Sequence, residues 1–316
     1  MLVSIFTIFI SLVNIGHIDS SPPSLENKAL SELRQVLKQR EKFVKVHAAE
    51  FLIWTGHSKE ALAEFLKEEQ LHSGEPKYRV VIWRVLAQAE TDPARKQIWL
   101  DKIYQAYKDL NGPDRTHATE TLAKLKQPVS QLFPEATKRT LISEDRNLAV
   151  YALWASSFGS EERMTANREK FLSMMLADTN LIVRKISAFI LRQSRSLSTD
   201  QWKRLTSLAV SSGKADDTYV NFLSTALVTA PADANKKVLA QINELLLHDV
   251  NGYSASERTE LSQAFAEKGT REHLPVLMGF MNDAASHGIY DPDSDEAADL
   301  RATAAYAVLK IKGRKE

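Results

Sequence analysis

Eight times along the chain the same frame returns. A basic or aliphatic residue is followed three and four positions later by small or apolar residues, and seven positions later by an aliphatic or aromatic one. Lys45 leads to Ala48, Ala49 and Leu52, Arg79 to Ile82 and Leu86, Arg115 to Ala118 and Leu122, and Arg146 to Ala149 and Leu153. Arg184 leads to Ala188 and Leu191, and Arg301 to Ala304, Ala305 and Val308. Two looser copies start at Val220 and Arg258. Successive anchors are 34, 36, 31, 38, 36, 38 and 43 residues apart. Such a spacing holds two helices and their turns, so the period is one helical hairpin. At 3.6 residues per turn, positions zero, three, four and seven share one helix face. Small residues on that face let neighbouring helices approach closely. No single hairpin can bury it, so the hairpins must stack.

The segments between the anchors agree. LENKALSELRQVLKQ, SKEALAEFLKEEQ and KKVLAQINELLL space their apolar residues by three and four. Asp92-Pro93 predicts a capped helix start, and Ser198-Thr199-Asp200 predicts another. Eleven Gly and ten Pro are too few for a β-rich chain full of tight turns. The fold class is all-α.

The register resembles that of HEAT repeats, whose second helix carries a hydrophobic-Arg-x-x-x-Ala-x-x-Leu pattern. DTNLIVRKISAFIL is the fullest copy; Asp178 stands six residues before Arg184, and Asp295 stands in the same relation to Arg301. The resemblance covers roughly residues 24–312. The tetratricopeptide pattern is not matched. A HEAT-like chain implies an α-solenoid, a right-handed superhelix of about eight hairpins, with the basic position-zero residues forming an internal ladder to their neighbours.

Within this frame, His-Ala-x-Glu occurs twice, at His47/Glu50 and His117/Glu120. A His and a Glu three apart lie on one helical face and could hold a metal. The pairs fall in the first and third copies, so a whole hairpin separates them. With stacked helices roughly 8–10 Å apart, the pairs are expected on the order of 20 Å from each other. A di-iron HEAT-like hydroxylase draws its ligands from His-Glu dipeptides, and this chain has none. His-Glu-x-x-His is absent as well, and Phe51 and Thr121 occupy the last position of His-x-x-Glu-His. The expectation is no metal and no cofactor.

At about 100° per residue, positions two and five lie opposite the stacking face. In a HEAT-like array that side lines the concave surface. Val46, His47, Glu50 and Trp54 form the first candidate patch there. Arg84, His117, Glu120, Lys124, Tyr151, Phe189 and Tyr306 extend it along the array. Trp83, Trp99, Trp154 and Trp202 sit in apolar helices and read as core. Asp291, Asp293 and Asp295 alternate like the start of a calcium loop. Glu296 and Ala302 occupy the places where an EF-hand needs Gly and Glu, so the stretch reads as a loop capping the last helix.

A net charge of +1 gives no long-range attraction to nucleic acid. The absence of cysteine removes disulfides, thiol catalysis and a lipid-modified N-terminal Cys. No Gly-rich phosphate loop and no Gly-x-Ser-x-Gly elbow occurs, and no small-molecule ligand is evident. MLVSIFTIFISLVNIG is apolar and uncharged, shorter than the roughly 20 residues of a bilayer span, and is followed by Ser20 and Ser21. Residues 1–21 therefore read as a signal peptide and 22–316 as the repeat domain. No Lys or Arg precedes the apolar run, so an uncleaved membrane anchor and a cytoplasmic protein stay open beside a periplasmic or secreted one. The functional expectation is a non-catalytic scaffold that recognises a protein or peptide on its concave face. Its alternatives are an enzyme on an α/α toroid, such as a carbohydrate-active one, and the di-iron hydroxylase. A toroid would require a closed ring of helices.

Overall fold

In the computed structural model the described residues are 23–194, 197–211, 213, 216–248, 250–282, 291 and 293–314. Residues 1–21, read above as a signal peptide, lie outside them. Among the described residues there is no strand. The first helices are α1 (Leu25–Gln39), α2 (Lys42–Trp54), α3 (Ser58–His72), α4 (Tyr78–Ala89), α5 (Pro93–Lys108) and α6 (Arg115–Lys124). The middle of the chain holds α7 (Val129–Leu132), α8 (Pro134–Leu141), α9 (Arg146–Ser156), α10 (Glu161–Ala177) and α11 (Leu181–Gln193). The last are α12 (Thr199–Ser211), α13 (Tyr219–Val228), α14 (Lys236–His248), α15 (Ala255–Lys268), α16 (Leu274–Asn282) and α17 (Asp295–Lys312). No helix among the described residues is long and apolar enough to cross a membrane.

Local chemistry sets the ends of these helices. Asp92 caps α5 by accepting from Ala94 N and Arg95 N, with Pro93 in the first turn. Asp145, Asn180 and Ser294 cap α9, α11 and α17, and Ser254 with Glu257 forms a capping box on α15. The acidic loop before α17 thus acts as a cap, with Asp295 and Glu296 in the positive first turn. Pro128 precedes the short α7 and Pro134 opens α8, so two short helices stand between α6 and α9, where the repeat spacing is shortest.

All eight sequence anchors fall in α2, α4, α6, α9, α11, α13, α15 and α17. Each of these packs on the next, and α17 packs on α2 as well as on α1. The eight therefore form a closed cycle, with the remaining helices outside it. An open array would hold α1 and α17 at opposite ends. Here they are neighbours.

The basic ladder shows how the cycle is stitched. Arg79 Nε donates to Asp114, which precedes α6, at 2.7 Å. Arg146 pairs with Asp178, which precedes α11, and Arg184 pairs with Asp216, which precedes α13, at 3.0 Å. These three position-zero residues thus reach the acid at the start of the next inner helix. The inner helices therefore run side by side in one direction. Arg301 carries the ladder around the seam, with Nε donating to Glu32 of α1 at 2.8 Å. Four copies depart from the pattern: Lys45 pairs with Glu64 and Glu68 of α3 at 2.8 and 2.6 Å, Val220 carries no charge, and Arg115 and Arg258 turn to other acceptors. Arg115 donates to Leu110 O and Thr140 Oγ1, and the fully buried Arg258 donates to Asn251 O.

Apolar packing completes the seam. Phe51 of α2 stacks on Tyr306 of α17 with centroids 4.6 Å apart and planes 8° from parallel. Ala297, Ala298, Ala302, Ala304, Ala305 and Ala307 are all buried in α17, which allows close approach on several sides. The Trp expectations are met: Trp83, Trp154 and Trp202 are buried, Trp99 packs half-buried against the core, and Trp54 is 48% exposed.

Candidate functional site

Closing the cycle turns the predicted concave face inward. A regular ring of eight helices spaced about 10 Å apart has an axis-to-axis radius of about 13 Å. Subtracting the helices themselves leaves a lumen on the order of 15 Å across, which long side chains then fill. This is the physical reason for three corrections. Glu50 and Arg84, expected on an exposed face, are buried at 4% and 2% exposure, and Tyr306 is buried in the seam. Val46, placed in the first patch, faces the helix packing and is fully buried.

The remaining candidates sort into one connected wall. Arg84 Nε donates to Glu50 Oε1 at 2.7 Å, and its Nη1 leans on Thr121 Oγ1 at 3.4 Å. Gln88 Nε2 donates to the same Glu50 oxygen at 2.7 Å, and Gln88 Oε1 accepts from the Trp54 indole at 3.0 Å. On α6, Lys124 pairs with Glu120 at 2.7 Å and lies 5.5 Å from the centre of the Phe189 ring of α11. Phe189 in turn meets Trp154 edge-on at 5.7 Å. Tyr151, half-buried on α9, feels the Glu120 charge, and burial together with that charge raises its pKa so that it stays protonated.

The two His-Ala-x-Glu pairs stand on either side of α4, with Arg84 between their carboxylates. Burial opposes ionisation of Glu50, but Arg84 and Lys124 outweigh it and lower its pKa. Burial is likewise overcome at Glu120, where Lys124 and Arg84 hold the carboxyl down at about 2. A guanidinium thus occupies the space between the carboxylates. Among the described residues no group of three or more His, Cys, Asp or Glu side chains is placed to hold a metal ion.

The two histidines have different surroundings. His47 Nδ1 lies 2.7 Å from Asp299 Oδ1, a partner 252 positions away that ring closure delivers. The His47 side chain keeps 39% exposure, and its Nε2 has no hydrogen-bond partner among the described residues. Burial works against its charge, yet Asp299 and Glu50 prevail over burial and the Lys124 cation, so its pKa is raised. His117 is half-buried, with its ring 5.9 Å from that of Phe43, one turn before His47. Its Nδ1 is buried without a hydrogen-bond partner among the described residues. Burial lowers its pKa, with Lys77 and Arg84 acting in the same sense.

Sequence reasoning missed Asp299, Arg192 and Glu260. Arg192 of α11 reaches past α13 to Glu260 of α15, with Nη2 donating to Oε2 at 2.8 Å and Nη1 donating to Thr225 at 3.2 Å. Burial raises the Glu260 pKa against the pull of Arg192. Glu260 holds the same repeat position as His47 and His117, two after the anchor, so the frame itself could have found it. Asp299 had no such signal, since only ring closure gives it a partner. Phe189, Thr259, Glu260, Gln263, Glu296 and Asp299 line a crevice of about 370 Å³ between α11, α15 and α17. Comparison of the chain with family models, curated proteins and solved structures finds no match.

Two pH effects follow. A His with a raised folded pKa stabilises fully below its unfolded value of about 6.5, and that contribution is lost as pH rises through the folded value. Stability should therefore decline from about pH 6.5 upward, and His47→Gln should flatten that limb in thermal melts. Glu120 has the opposite sign. Its contribution is present above 4.5 and lost as pH falls towards about 2. The difference is worth about 3 kcal/mol. Urea titrations between pH 5 and pH 2 should show a shallower loss in Glu120→Gln than in the parent.

Proposed function

We propose that the protein is a HEAT-like hairpin array closed into an α/α ring, and that it binds a small polar ligand inside the ring. The carrying observation is the packing of α17 on α1 and α2. It brings His47 against Asp299 and turns the predicted binding face into the wall of a narrow lumen. A lumen of that width does not admit a folded partner. The crevice of about 370 Å³ lies in the range of small-molecule sites. This reading replaces the expectation that no small-molecule ligand is evident. Its lining also suggests the ligand class. Glu260, Glu296, Asp299, Thr259 and Gln263 offer hydrogen bonds, while Phe189 offers an aromatic face for C–H groups. That mixture suits a polyhydroxylated molecule such as a monosaccharide. Export through residues 1–21 belongs to the same proposal and rests on the sequence alone.

Isothermal titration with D-glucose, D-mannose, D-fructose and D-glucuronate tests the reading. Saturable one-to-one binding is expected for at least one of them. Phe189→Ala should weaken it about tenfold, as expected for one lost aromatic contact. No binding by any of the four would sink the reading.

A protein or peptide partner is the second reading, favoured by a different observation. Ile142 and Ile182 are 78% and 55% exposed near the starts of α9 and α11, and Leu141 beside them lines a groove. Such a partner would dock on the rim of the ring.

A further inference from the structure

We infer that the ligand of the crevice between α11, α15 and α17 carries a positive charge, as an amino sugar with a free ammonium group does, and that Glu296 receives that charge. The inference rests on the ligand reading above and narrows it to one charge class.

Two helix faces and one ring form the crevice. Thr259, Glu260 and Gln263 stand within four residues on α15, and Glu296 and Asp299 stand three apart on α17, so each set shares one face of its helix. Phe189 of α11 borders the third side. Three of the lining residues are carboxylates, and none is a Lys, Arg or His. The cations that offset them come from behind the wall. Buried Arg192 is committed to Glu260, and His47 is committed to Asp299. Glu296 is exposed and makes no hydrogen bond or ion pair among the described residues. Even with His47 protonated, the crevice keeps one carboxylate more than the cations that meet its acids.

The enclosed volume and the aromatic side set this place apart from a solvated acidic surface. Glu260 keeps only 14% side-chain exposure, and burial raises its pKa even against Arg192, so its charge is only partly offset. A second cation entering the crevice would relieve that deficit. Phe189 suits such a cation, because an ammonium is attracted to the face of an aromatic ring. The protein already sets one ammonium against this ring, since Lys124 Nζ reaches it from α6 and lies 5.5 Å from its centre. Lys124 is matched by Glu120 at 2.7 Å, so it leaves the acids of the crevice unmatched. A metal ion is a poorer fit. Among the described residues no three acids or histidines are grouped to hold one. An ammonium group has three donors that turn to separate acceptors, and needs no such grouping. The hydroxyls of the same ring then meet Thr259 and Gln263.

Isothermal titration with D-glucosamine, D-glucose and D-glucuronate tests the sign of the charge, since these rings of similar size are cationic, neutral and anionic. D-glucosamine should bind about tenfold tighter than D-glucose, as expected for one charge-assisted contact, and D-glucuronate should bind weakest. Glu296→Gln should bring D-glucosamine and D-glucose to within about twofold of each other, with melting curves confirming that the variant is folded. Binding of D-glucose with no gain for D-glucosamine overturns the inference and leaves the ligand reading standing. A gain that survives in Glu296→Gln overturns it as well, and so does D-glucuronate binding as tightly as D-glucosamine. If D-glucosamine and the four sugars named above all fail to bind, the ligand reading falls with it, and the same titrations record that outcome separately.

Discussion

Arg84→Ala should cost about 3–5 kcal/mol, and thermal melts should fall by about 10 °C. Arg84 and Glu50 are both buried, and their carboxylate–guanidinium contact is 2.7 Å. Removing the guanidinium leaves the Glu50 carboxylate in the lumen wall with only the Gln88 amide to donate to it. Water cannot replace the lost charge without entering the packed ring. The control is the double variant Arg84→Met with Glu50→Gln. It removes both charges and keeps most of the volume, and it should recover most of the loss, because a buried ion pair is worth little relative to a well-packed substitute. A single variant that melts within 2 °C of the parent would mean that solvent reaches Glu50 freely. The charged wall would then be an open groove, as first expected from the sequence.

The helical frame was legible because it depends on local periodicity. The spacing of Ala48, Ala49 and Leu52, repeated from Arg79 to Arg301, located every inner helix and the face it buries. The same frame put His47, Glu50, Arg84, Glu120 and Lys124 on one side of those helices, and the structure brings them to one wall. What the frame does not contain is the rotation between hairpins. That small angle, summed over eight repeats, decides whether the ends diverge or meet. It is set by how alanines and larger residues pack between adjacent helices, which no single repeat reveals. The burial of Glu50, Arg84 and Tyr306 follows from that angle, and so does the pairing of His47 with Asp299. Asp299 was therefore out of reach of the sequence, whereas Glu260 was missed only because its repeat copy is degenerate.

Truncating the chain before residue 295, which removes α17, separates a ring from an open array more directly than any point substitution. In a linear array each hairpin touches only its neighbours, so loss of the last one loosens the adjoining repeat and spares the distant end. Here α17 packs on α1, α2, α15 and α16 together. It buries Leu300, Tyr306, Val308 and Ile311 among its alanines. At about 1.5–3 kcal/mol for each large side chain, these four contribute on the order of 8 kcal/mol, comparable to the whole stability of an ordinary domain. The deletion also removes Arg301 from Glu32 and Asp299 from His47, so two charges at the far end of the chain lose their partners. Amide hydrogen exchange on the truncated protein should show lost protection in α1 and α2 as well as in α15 and α16. Protection retained in α1 and α2 would mean that the seam contributes nothing to holding them, and the first hairpin would then behave as the end of a solenoid. Loss of both ends together would mean that the ring folds as one unit, with its site assembled only when the chain closes.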